Sequence, residues 1–196
     1  MMLSPAVSTT AGIGSLALAA VASWSSLLLV VQERVVPGWG VSAALLVMSL
    51  VLRWALTRVG RPAGASSLPP KRATSARLAS RLLIVTAMLG TAWGAVDDLI
   101  SDAKYHVLHP AGPGGCMAVV RETSFLVIGN GEVYAVARTG LALGESASWT
   151  VDDGYRPVDA GTYELDWGRG GGFLRISGTS TDPVVRGGSA DIDCGW

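Results

Sequence analysis

The chain has 196 residues, 15 basic and 15 acidic side chains, a net charge of zero and a mean hydropathy of +0.42. The charges are segregated: residues 1–96 carry eight basic side chains against Glu33 alone, a net of +7, and residues 97–196 carry seven against fourteen acids, a net of −7. An apolar, basic first half joined to an acidic second half excludes a uniform soluble globule, a disordered chain and a nucleic-acid binder built on overall basic charge.

From Met1 to Gln32 there is no charged side chain. The segment 12–31 would run about 30 Å as a helix, the thickness of a bilayer's hydrocarbon core, and is expected to be a first span. Ala20-Val21-Ala22 before Ser23 resembles a signal-peptide cleavage site. The segment before it lacks Lys and Arg, however, and the apolar run continues past it, so a retained helix is expected. A second span is expected over 38–56, with Arg53 near its end and able to reach the headgroups. The third, over 81–99, has only fifteen uncharged residues between Arg81 and Asp97, so Asp97 and Asp98 are expected at the outer edge.

Seven of the eight basic residues of the first half lie between Arg53 and Arg81. The positive-inside rule therefore places the 58–80 linker in the cytoplasm, with the N-terminus also inside and everything after residue 100 outside. Trp39 and Trp93 then fall near the outer interface and Trp54 near the inner one. The linker, rich in Pro, Ala, Gly and Ser, is expected to be flexible, its basic residues setting topology or holding anionic lipid. Small residues recur at four-residue spacing: Ser15, Ala19 and Ser23; Gly40 and Ala44; Gly90 and Gly94. Such faces suit a packed bundle, or an oligomer through Gly90 and Gly94.

After Pro110, residues 101–112 having served as a juxtamembrane stalk, the texture becomes that of a β domain over 113–196. Asn130-Gly131, between two Val-rich runs, signals a hairpin turn, because type I′ turns need positive φ at both central positions. Tyr163, Leu165 and Trp167 alternate with Thr162, Glu164 and Asp166, the pattern of a half-buried strand. The glycine-rich stretch 168–172 then turns it into a second hairpin. About seven short strands or fewer suggest a small all-β sandwich or partly open barrel. Cys116 and Cys194 bracket the domain on the side where disulfides persist, so a bridge between them is expected.

Two constellations could carry chemistry. Asp98, Asp102, His106 and His109 fall within an arc of about 80° if the third helix continues outward, and could hold zinc or a similar ion. Asp152, Asp153, Tyr155, Arg156 and Asp159 form an acidic loop that could take calcium, or meet a partner through its Tyr and Arg. Stalk polarity and ordinary turn chemistry account for both without a ligand. No histidine follows residue 109, which leaves a Ser-His-Asp hydrolase poorly served.

The expectation is an α plus β membrane protein of the plasma membrane. Three transmembrane helices would display a disulfide-closed extracytoplasmic domain that binds other membrane or envelope proteins, with no cofactor and no nucleic acid. The alternatives are a ligand or metal-ion sensor and, second, an envelope hydrolase.

Overall fold

A computed structural model describes residues 5–58, 70–178 and 185–194. The fold is α plus β and divides into two units, Met1–Trp24 with Gly38–Ala95, and Ser25–Pro37 with Val96–Trp196.

The first unit holds helices α1 (Pro5–Trp24), α2 (Gly38–Arg58) and most of α3 (Pro70–Ile100). Among the described residues two helical stretches, Gly38–Ala55 and Leu78–Ile100, are long and apolar enough to cross a membrane. The helices meet through a small apolar cluster flanked by hydroxyl groups. Leu16, Ala19, Leu46 and Ala87 form the buried cluster. Beside it the Ser15 and Ser49 hydroxyls are 2.9 Å apart, Thr91 donates to Ser42 at 2.9 Å, and Arg53 donates to the Ser80 hydroxyl. Large apolar side chains face outward instead, among them Leu18, Val47, Val51, Leu82, Leu89 and Trp93.

Gly90 and Gly94 are used inside this unit. A Cβ on Gly90 would lie 2.5 Å from the Ser23 hydroxyl, and one on Gly94 would lie 2.9 Å from the Trp39 Cβ. The close approach that the GxxxG spacing permits is made within the chain.

The expected 58–80 linker needs correction, because α3 begins at Pro70. Proline suits a first helical turn, and the Ala, Arg, Lys and Leu that follow are good helix formers. Residues 59–69 of that linker lie outside the described residues.

The second unit draws on a segment expected to be helix. The expected span 12–31 stops at Trp24, and Leu27–Val31 is strand β1, paired with β2 (Arg34–Pro37). Gln32 and Glu33 make the two-residue turn with φ of 50° and 64°, the left-handed geometry that matches strand twist. The stalk expected at 101–112 is also partly strand, with β3 at Lys104–Val107. There follow β4 (Met117–Phe125), β5 (Ile128–Val136), β6 (Leu141–Leu143), β7 (Ala147–Asp152) and β8 (Tyr163–Trp167). The last are β9 (Gly172–Ile176), β10 (Val185–Arg186) and β11 (Ser189–Ile192).

These strands form three antiparallel sheets, β2-β1-β6, β10-β7-β5-β4-β3 and β11-β9-β8. The five-stranded sheet lies in the middle. Val120, Val133, Trp149 and Val151 on one face pack against Leu174, Ile176, Ala190 and Ile192. Val119, Tyr134 and Val136 on the other pack against Leu28, Val30 and Ala142. Cover on both faces explains why β4 opens as a continuous Ala-Val-Val run instead of an alternating one.

The expected hairpin at 168–172 is present, with Trp167 opposite Gly172. The expected turn at Asn130-Gly131 is not. The β4–β5 turn is Leu126-Val127, and Asn130-Gly131 lies within β5. The reason is packing: a Cβ on Gly131 would stand 2.0 Å from Cε2 of Trp149, so the glycine makes room for a buried indole.

Cys116 and Cys194 are bonded, with Cα atoms 6.0 Å apart, and join the residue before β4 to the chain just past β11. Closing a loop of 78 residues is credited with about 4–5 kcal/mol in the chain-entropy model.

Candidate functional site

The last turn of α3 carries Asp97 and Asp98, where the helix dipole disfavours negative charge. Arg121 on β4 answers both: its Nη2 donates to Asp97 and to Asp98, each at 2.8 Å, and its Nε donates to Asp98 at 3.2 Å. Nη1 reaches both oxygens of Glu132 on β5 at 3.4 Å. Two phenols complete the network, Tyr105 donating to Asp98 at 2.9 Å and Tyr134 to Glu132 at 2.7 Å. Burial, then the Asp98 charge, pushes the Tyr105 phenol above its usual range, and burial and Glu132 do the same for Tyr134. Burial opposes the charge on Arg121, but Asp98 and Glu132 more than offset it and hold the guanidinium protonated.

This network borders a recess of about 640 Å³ over the part of the middle sheet that β1 and β6 leave uncovered. Thr123, Asn130, Glu132, Ser148 and Thr150 line it, with Ile100 and Phe125 at its apolar side. Asn130 and Thr150 are already joined at 3.1 Å. With Arg121 matched by three carboxylates, the recess is a mixed hydrogen-bonding surface, not an anion site.

On the opposite face of the same strand, Glu122 is buried and its two oxygens accept the backbone N–H groups of Val158 and Asp159 at 2.8 and 2.9 Å. Burial raises its pKa, and those two bonds partly counter the rise. The His106 Nε2 lies 3.6 Å from Glu122 and 3.9 Å from Asp159. Lys104 pairs with Asp159 at 2.7 Å and, with His106, lowers its pKa.

Of the four residues expected on one helix face, Asp98 alone is on the helix, and Asp102, His106 and His109 lie beyond its end. α3 ends at Ile100, Ser101 N–H and hydroxyl both satisfy the Asp97 carbonyl, and Asp102 takes a φ of 45°. Asp98 joins Arg121, Asp102 accepts from Arg156 at 2.8 Å, His106 faces Glu122, and His109 precedes a cis proline. Among the described residues no group of three or more His, Cys, Asp or Glu is placed to hold a metal ion.

The loop residues expected to meet a partner are engaged within the domain. Tyr155 shares a hydrogen bond with Thr162 at 2.9 Å, Arg156 binds Asp102, and Asp159 binds Lys104. Asp152 closes β7 and Asp153 sits in the following turn with a φ of 57°, both exposed.

Sequence reasoning missed Arg121, Glu122, Glu132 and Tyr105. One signal was available: adjacent opposite charges, Arg121-Glu122, inside a Val-rich strand must point to opposite faces, and each needs a partner where it is buried. Comparison with protein-family models, with curated proteins and with solved structures finds no match to this chain.

Proposed function

We propose that the chain is a multi-pass plasma-membrane protein that displays its β domain outside the cell as the interaction module of an envelope membrane complex. One observation carries the membrane part. The helical unit turns Leu18, Val51, Leu82, Leu89 and Trp93 outward and keeps serines between its helices. That arrangement is costly in water and favourable in lipid. The basic cluster from Arg53 to Arg81 supports a cytoplasmic linker, and the Cys116–Cys194 bridge supports an oxidising location for the domain.

Binding is supported by the recess beside Arg121, an uncovered sheet face rich in hydrogen-bonding side chains that the domain does not close over. A photo-crosslinking residue at Ser148, compared with one at Arg169 in native membranes, tests it. A discrete adduct to one membrane or envelope protein from Ser148, absent from Arg169, is expected. No adduct from Ser148 would refute the binding role.

A further inference from the structure

We propose that the β4–β5 hairpin tip, Phe125-Leu126-Val127-Ile128, is an interfacial anchor that dips into the bilayer leaflet from which α3 emerges. This rests on the membrane-spanning reading above. Two-residue hairpin turns ordinarily take Gly, Asn or Asp, yet here four apolar residues stand in succession. All four are exposed, Leu126 at 82% and Val127 at 64%. Leu126 also holds a φ of 55°, a left-handed conformation that its Cβ disfavours. An exposed, strained, wholly apolar tip is unfavourable in water and is a liability at a sheet's end unless something covers it.

The strand register says what that is. Lys104 pairs with Glu122 and Val107 with Val119, so moving along β4 toward the tip means moving back along β3 toward the end of α3. The Ser124 N–H donates to the Ser101 carbonyl at 2.7 Å, which sets the start of the tip beside the residue after the helix. There Val96, Leu99 and Ile100 are exposed, Leu99 at 80%, and Ile100 shares the rim of one recess with Phe125. Apolar side chains of the tip and of Val96–Ile100 thus lie at the same end of the β unit, the end at which the apolar stretch Leu78–Ile100 finishes.

The chemistry favours lipid held by apolar burial, not by charge. The tip contains no Lys or Arg, and the adjoining turn carries Asp152 and Asp153, its Gly154 N–H donating to the Val127 carbonyl at 3.2 Å. Four such side chains suit the headgroup–acyl boundary, about 5–10 Å deep. The opposite end of β4 starts one residue after Cys116, well away from the tip.

The test uses the full chain in nanodiscs of phosphatidylcholine. Single thiols at Val127→Cys, Ile128→Cys, Leu89→Cys and Arg169→Cys each take an environment-sensitive fluorophore, the native cysteines being bonded to each other. Lipids spin-labelled near the headgroup should quench the probes at 127 and 128 several-fold more than the probe at 169, and chain-labelled lipids should quench the probe at 89. Quenching at 89 without quenching at 127 and 128 overturns the anchor and leaves the spanning reading standing. A blue shift at 127 without quenching means protein covers the tip, a second copy included, and also overturns it. No quenching at 89 overturns the spanning reading itself.

Discussion

Replacing Arg121 by Met keeps much of the aliphatic stem and removes the charge that three carboxylates share. The Arg121 side chain is 16% exposed, Asp98 14%, Glu132 28% and Asp97 54%. Stranding a fully buried partner costs about 3–5 kcal/mol, whereas exposed pairs are worth about 0–1 kcal/mol. Asp98 and Glu132 lie toward the first case and Asp97 toward the second. With the guanidinium gone, the charges of the two acids in the last turn of α3 add about 0.3–1 kcal/mol each through the helix dipole. The expected loss is about 2–4 kcal/mol, which lowers Tm by roughly 10–20 °C for a domain of this size. Thermal unfolding of the full chain in mild detergent, followed by near-ultraviolet circular dichroism, measures it. Adding Asp98→Asn should recover part of the loss, because a neutral amide needs no counter-ion. An unchanged Tm for Arg121→Met, or strictly additive effects of the two substitutions, would refute the idea that this network ties Asp97 and Asp98 to the sheet.

Glu122 gives a pH signature. Its folded pKa is raised, so the stability linked to its protonation is present below its ordinary 4.5 and is lost as pH rises through the folded value. The wild type should therefore lose ground to Glu122→Gln as pH rises across that range, and a Tm difference moving the other way would sink the assignment. Asp159, with a lowered pKa, works oppositely and loses its contribution only as pH falls through that lowered value. Gly131→Ala places a Cβ 2.0 Å from the Trp149 ring and should cost about 1–3 kcal/mol by overpacking. Gly170→Ala, with nothing within 4 Å, should leave Tm unchanged and serves as its control. Replacing Cys116 and Cys194 together by Ala should cost about 2–5 kcal/mol, read from the same melts with and without reductant.

Apolar helices, the acidic β half and the disulfide were legible because each rests on composition or compartment. The β1–β2 hairpin was not. Leu27–Val31 carries no polar residue to reveal its period, and an uncharged run of that length reads equally as helix or strand. Its turn, Gln32-Glu33, lacks the Gly or Asn that marks such turns. Asn130-Gly131 misled for the converse reason: the local turn preference yielded to a tertiary demand, the space beneath Trp149. The projection of Asp98, Asp102, His106 and His109 onto one helix failed because the helix ends at Ile100, where Asp102 takes a left-handed φ of 45° and the Ala103 N–H donates to the Asp98 carbonyl. Arg121, Glu132 and Asp98 come from three separate segments, and only strand register brings them together.

The central claim, that the helices cross a membrane and leave the β domain outside, is tested most directly by thiol accessibility in the native host. A membrane-impermeant maleimide should label Arg169→Cys in intact cells and Ser67→Cys only after permeabilisation. Labelling of Ser67→Cys in intact cells, or release of the chain from membranes by alkaline carbonate, would contradict it.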